Sequence, residues 1–128
     1  MSVSYVLVEH GNPANPTAPK KFYAQAKASG ELSFRQLSKE IAEGSTTVSD
    51  TDVLAVLNDL TKILRRHLAN GEIVRFGDFG TFQVALKSDG AETADKFHHS
   101  LIKASKVTFR VGIDLREMLA TLQYEKMK

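Results

Sequence analysis

The stretch VRFGDFGTFQV, residues 74–84, decides the fold. It contains Asp78-Phe79-Gly80, the triplet that holds magnesium in protein kinases. A kinase also needs a glycine-rich loop, a strand lysine, a catalytic loop and two lobes to carry them. The chain has 128 residues, room for one ordinary domain, and no G-x-G-x-x-G, no Walker-type phosphate loop and no His-Arg-Asp. A tight β-hairpin accounts for the stretch better. EIVRF reads as a strand, Gly77-Asp78 as a turn and GTFQVALK as the returning strand. Gly77 and Gly80 supply backbone freedom for the turn, and Phe79 and Phe82 supply apolar bulk expected in the core and at an interface between subunits.

Upstream of the hairpin the apolar period is helical. TTVSDTDVLAVLNDLTKILRRHLANG carries Val53, Val56, Leu57, Leu60, Ile63, Leu64 and Leu68 as one stripe. Thr47 or Ser49 is the expected N-cap, and Asn70-Gly71 the stop. A shorter helix precedes it. There Ser33 and Gln36 have capping-box spacing, Phe34, Leu37 and Ile41 share a face, and Gly44 fits the C-cap. The first thirty residues read differently. SYVLVEHG is a strand, the proline-rich NPANPTAPKK a loop, and KFYAQAKA a second strand with Phe22, Ala24, Ala26 and Ala28 on one face.

Downstream, SDGAETADKFHHSLIKAS is polar and has no clear period. KVTFRV is a strand. GIDLREMLATL is a helix with Ile113, Leu115, Met118, Leu119 and Leu122 apolar, and QYEKMK is a tail with strand character. The fold class is α+β, divided as an N-terminal β-extension over 1–30, a main domain over 31–122 and a tail over 123–128.

Composition excludes several functions. There are no cysteines, so neither a disulfide framework nor a thiolate metal site is available. No apolar run is long enough to span a membrane, and MSVSYVLVEH lacks the parts of a signal peptide. A cytoplasmic protein is expected. Net charge is only +2, which by itself points to no partner. His98-His99 has no evident third ligand, and adjacent residues on a strand face opposite ways. Arg65 and Arg66, beside apolar Leu64 and Leu68, read as a solvated helix face. No Ser/His/Asp or paired-carboxylate constellation stands out, so no catalysis, no cofactor and no small-molecule substrate are expected.

The order helix, long helix, hairpin, polar segment, strand, helix resembles the HU and integration host factor family of bacterial DNA-architectural proteins. Phe79, Gly80 and Phe82 are similar to the family's G-F-G-x-F core, with Asp78 in place of its first glycine. IKASKVTFRVGIDLREML resembles the family's return strand and final helix. There Phe109-Arg110-Val111-Gly112 puts valine where proline is usual. The resemblance covers about residues 31–120, and the added N-terminal segment is similar to that of an extended subgroup from Bacteroides-type bacteria.

The resemblance implies an HU/IHF-like fold that forms an intertwined homodimer. A helical base carries three-stranded sheets, and β-arms reach around duplex DNA, touching the minor groove and the phosphate backbone with low specificity. The arm would span Ala85 to Lys106. It holds Lys87, Lys96, Lys103 and Lys106 against Asp89, Glu92 and Asp95, and no proline follows Pro19. The candidate DNA-binding residues are Arg75, Lys87, Lys96, Lys103, Lys106, Arg110 and Arg116. Of these, Lys106, Arg110 and Arg116 match family positions near the DNA-binding saddle. The acidic tip and the missing proline leave a second reading, an HU-fold interaction module with weak or no DNA binding.

Overall fold

The computed structural model of the chain describes residues 2–44 and 47–127. Among them are three α-helices and two three-stranded sheets, and the chain divides into two compact units. One is Met1–Ser33 with Leu119–Lys128; the other is Phe34–Met118.

The first unit is a sheet in the order β2-β1-β6. Strand β1 (Val3–His10) pairs antiparallel with β2 (Lys21–Lys27) and parallel with β6 (Tyr124–Lys126). Residues 124–126 of the expected tail thus form a strand of this sheet. The Val3 N–H donates to the Gln123 carbonyl at 2.8 Å, and the Met127 N–H to that of Tyr5 at 2.9 Å. With β6 they cover β1's second edge over Val3–Tyr5, which a two-stranded extension would leave open. The intervening loop is ordered by its asparagines. Asn12 Oδ1 accepts from the Ala14 N–H, and Asn15 Oδ1 from the Thr17 hydroxyl.

In the second unit, α1 (Phe34–Gly44) packs on α2 (Asp50–Ala69). Of the two expected caps for α2, Ser49 is used: its Oγ accepts from the Asp52 N–H at 3.2 Å. Asp50 and Asp52 sit at the positive end of the helix dipole, and Arg66 and His67 at the negative end. Gly71, with φ +79°, ends the helix in a backbone state that costs glycine nothing.

Strands β3 (Val74–Phe76), β4 (Gly80–Ser88) and β5 (Ile102–Val111) form the second sheet in that order. Its β5 strand begins at Ile102, four residues before the strand expected from sequence, because Ala104 and Ile102 pair with Lys87 and Ser88. The β4-β5 ladder runs well past Phe82, where pairing with β3 stops, so a two-stranded ribbon continues beyond the sheet.

The turn that opened the question is built around α3 (Ile113–Ala120). The Asp78 carbonyl accepts from the Asp114 N–H at 3.1 Å, and the Phe79 carbonyl from the Gly112 N–H at 2.8 Å. Two backbone donors at the start of the helix, which have no partner within it, are thus taken by the hairpin turn. Gly77 holds the turn with φ +55°. Gly80 needs no unusual φ. Its requirement is space, because a Cβ there would overlap the Phe109 ring and the Arg110 carbonyl. A Cβ on Gly112 would overlap the Asp78 carbonyl.

Phe79 is not a core residue of the single chain. It is 47% exposed, its ring lying 5.9 Å from those of Phe76 and Phe109. Phe82 sits closer in, with its ring 4.9 Å from that of Phe109. Such ring pairs contribute about 0.5–1.5 kcal/mol each beyond area burial.

Replacement of Gly112 by alanine is expected to destabilise the protein by about 1–3 kcal/mol, as overpacking does. Asp78→Ala is expected to leave stability and any magnesium response unchanged, because the turn uses only that residue's backbone. Thermal melts of the two variants, with and without magnesium, check both outcomes.

Candidate nucleic-acid interface

Alternation along the strands gives the β3-β4-β5 sheet two unlike faces. One carries Phe76, Phe82, Val84, Val107 and Phe109. The other is set by register: Arg75 lies opposite Thr81, Thr81 opposite Arg110, Gln83 opposite Thr108, Ala85 opposite Lys106 and Lys87 opposite Ala104. Arg75, Lys87, Lys106 and Arg110 therefore share one face. Arg75 and Arg110 flank Thr81 from the two neighbouring strands, about 10 Å apart at the backbone by the usual strand spacing.

No aspartate or glutamate occurs in β3, β4 or β5, whereas Arg75, Lys87, Lys103, Lys106 and Arg110 do. A groove of about 170 Å³ is lined by Arg75, Thr81, Gln83, Thr108, Arg110 and Ile73. The Thr108 hydroxyl donates to the Gln83 carbonyl at 3.1 Å and ties β5 to β4 beneath the arginines. Thr81, Gln83 and Thr108 were not among the candidates from sequence. Their signal was present, because they alternate with Phe82 and Phe109 and so must lie on the cationic side.

The other three candidates lie elsewhere. Lys96 Nζ is 3.4 Å from Glu92 and Lys103 Nζ is 3.4 Å from Asp89, so two lysines of the ribbon end are paired with its acids. Exposed pairs of this kind contribute only about 0–1 kcal/mol. Arg116 is exposed on α3, a different element from the four on the sheet.

The ribbon end is not irregular. Two single 3-10 turns, Ala94–Lys96 and His99–Leu101, fold it, and the Asp89 N–H donates to the Leu101 carbonyl at 2.8 Å. The side chain of Thr93 hydrogen-bonds Asp95 and holds its carboxyl below the ordinary 3.8, so the acid keeps its charge. His98 and His99 do not point apart as strand geometry would have them. The second 3-10 turn begins between them and brings their rings to 4.2 Å. Among the described residues no three His, Asp or Glu side chains gather as a metal site.

The profile of the family described as an HU domain fused to wHTH, Ig or glycine-rich motif, HU-HIG, matches residues 1–126. The chain belongs to the HU-HIG family. Two solved structures share its fold. One, from Bacteroides vulgatus ATCC 8482, is provisionally described as a bacterial DNA-binding protein; it has a TM-score of 0.67 at 12% identity over 98% of the chain. The HU-HIG chain spans about half the length of that protein, 48%. The other is Anabaena HU cocrystallised with DNA, with a TM-score of 0.55, 18% identity, 70% of this chain and 99% of that one. No match is found among curated proteins.

Because the Asp95 carboxyl is depressed by Thr93, its charge persists as pH falls below 3.8 and is lost only lower. Thr93→Val is expected to raise the value back toward 3.8. A carboxyl-detected NMR titration of both forms measures the shift.

Proposed function

We propose that this HU-HIG protein is a non-sequence-specific architectural protein of the nucleoid that binds duplex DNA as a homodimer. The observation that carries the reading is the acid-free β3-β4-β5 sheet, with Arg75, Lys87, Lys106 and Arg110 on one face. Cations on such a face bind by releasing counterions from phosphates, which gives affinity without base readout. Thr81 and Gln83 add neutral donors suited to phosphate oxygens. Lys87 and Lys106 continue this cationic face along the ribbon beyond Phe82.

The dimer rests on apolar surface. Val53 is the one buried apolar side chain among the described residues. A cleft of about 460 Å³ between α2 and the sheet is open and lined by Leu64, Leu68, Phe82, Val84 and Val107. A single chain leaves this surface in water, and a second copy meeting it by two-fold symmetry would cover it.

A second reading, an HU-fold interaction module, is favoured by charge. Residues 34–118 hold 12 Lys and Arg against 12 Asp and Glu, and the ribbon end pairs its lysines internally. The acids subtract from DNA affinity, and without a proline wedge the bend imposed on the duplex is smaller.

Duplex binding measured across a salt series separates the two. The wild-type chain is expected to bind with a linear salt dependence. Arg75→Ala/Arg110→Ala should weaken binding alike on all sequences and flatten the slope by about 0.9 for each lost phosphate contact. Absence of binding to any duplex at low salt would sink the architectural reading in favour of the module. Light scattering at micromolar concentration should give twice the chain mass, and a monomer there removes the dimer.

A further inference from the structure

His98 and His99 stand at the ribbon end, outside the three strands of the cationic sheet. Their turn fixes a protonation state. The Ser100 N–H donates to His98 Nδ1 at 3.2 Å, and the Ser100 hydroxyl lies 3.0 Å from the same nitrogen. A backbone N–H can only donate, so Nδ1 carries no proton, and the ring is neutral with its hydrogen on Nε2. An imidazolium carries a hydrogen on both nitrogens. In the same place it would set donor against donor, so protonation of His98 releases this cap. The His99 ring stands 4.2 Å from that of His98, and two imidazoliums so close repel. The Leu101 N–H, bonded to the His98 carbonyl at 2.9 Å, closes the turn. As built, the turn is a structure of the neutral pair.

The charges around the turn give the pair its leverage. Asp89 and Glu92 precede the first 3-10 turn, Asp95 and Lys96 lie within it, and Lys103 is at the start of β5. The bond from the Asp89 N–H to the Leu101 carbonyl brings the acidic segment against the histidine turn. Two lysines against three acids leave residues 88–103 at −1 while both rings are neutral, and two imidazoliums bring them to +1. Both lysines already face acids at 3.4 Å. Histidine changes charge between roughly pH 5 and 8, whereas carboxylates ordinarily ionise near about 4. The acids therefore keep their charge while the rings gain theirs. Asp89 follows Lys87 by two residues, within the roughly 10 Å over which charge acts at ordinary salt.

We propose that the His98-His99 pair is a pH-sensitive gate on duplex binding, a role that rests on the duplex reading of the sheet. Near neutral pH the ribbon end is folded and net acidic, and it repels the phosphates drawn to Lys87 and Lys106. As pH falls the cap opens, the rings separate, and two new cations meet the phosphate backbone. Binding and protonation are linked, so duplex DNA in turn favours the charged rings.

The test is anisotropy with the full chain and a labelled duplex at about pH 8 and about pH 5.5. Wild-type affinity should rise on acidification. The rise should be roughly 8-fold in about 0.1 M salt for each imidazolium that meets a phosphate, with the salt slope steeper by about 0.9 for each. His98→Gln/His99→Gln should lose that gain, and His10→Gln/His67→Gln should keep it. The gate alone is overturned if the first double variant gains as much as the wild type. If no duplex binds at either pH, the duplex reading and the gate fall together. Amide exchange by NMR reads the turn without DNA. Relative to an unstructured chain, protection of the Ser100 N–H should be lost at the lower pH in the wild type. His98→Asn can still accept from that N–H but takes up no proton, so it should hold protection at both. Equal protection of the wild type at the two pH values also overturns the gate.

Discussion

The close approach of the Gly77-Asp78-Phe79 turn to the start of α3 is the constraint on which the second unit depends. Two carbonyls of the turn accept from the Gly112 and Asp114 N–H groups, and the contact is possible only because Gly112 has no side chain. Gly80 admits the Phe109 ring in the same way. Together they fix where β4 begins against β5. In a sheet, a slip of one residue moves every side chain to the other face. The same contact therefore decides that Arg75 and Arg110 stand on one side and Phe82 and Phe109 on the other.

That segregation explains how a nearly neutral unit can still present a cationic surface. The acids are absent from β3, β4 and β5 and lie instead in the helices, the turns and the ribbon end. At the ribbon end they meet lysines, and Asp95 is held ionised by Thr93. What a phosphate backbone would feel is the local field of the sheet face, screened over roughly 10 Å at ordinary salt, rather than the sum over the chain.

The apolar surplus has one physical origin in both units. Three-stranded sheets and a pair of helices are thin layers, and a thin layer has more face than its own chain can cover. Val107, Val56 and Tyr124 are all more than half exposed for this reason. In the second unit the surplus lines the cleft against α2, which the proposed homodimer would fill; in the first it lines the groove over Ala24 and Ala26.

Periodicity alone was enough for much of this. The stripe from Val53 to Leu68 specifies a helix, and the alternation in VRFGDFGTFQV specifies a hairpin, because burial on one face demands those two periods. The glycines, phenylalanines and return strand carried the family resemblance. Four of the seven proposed cations, Arg75, Lys87, Lys106 and Arg110, fall on strands whose alternation was readable. What the sequence left undetermined were the partnerships between distant segments. Nothing local in QYEKMK says that it pairs with β1, because a short edge strand is defined by the strand it joins. Nothing local in SDGAETADKFHHSLIKAS shows that Lys96 and Lys103 are matched by Glu92 and Asp89, or that the His98 and His99 rings meet. Those contacts depend on how the ribbon end turns back on itself. Gly112 matched the family's return-strand pattern in sequence, but the reason for it is tertiary: the fold brings the Asp78 carbonyl against it, so that no other residue fits without a shift of the backbone.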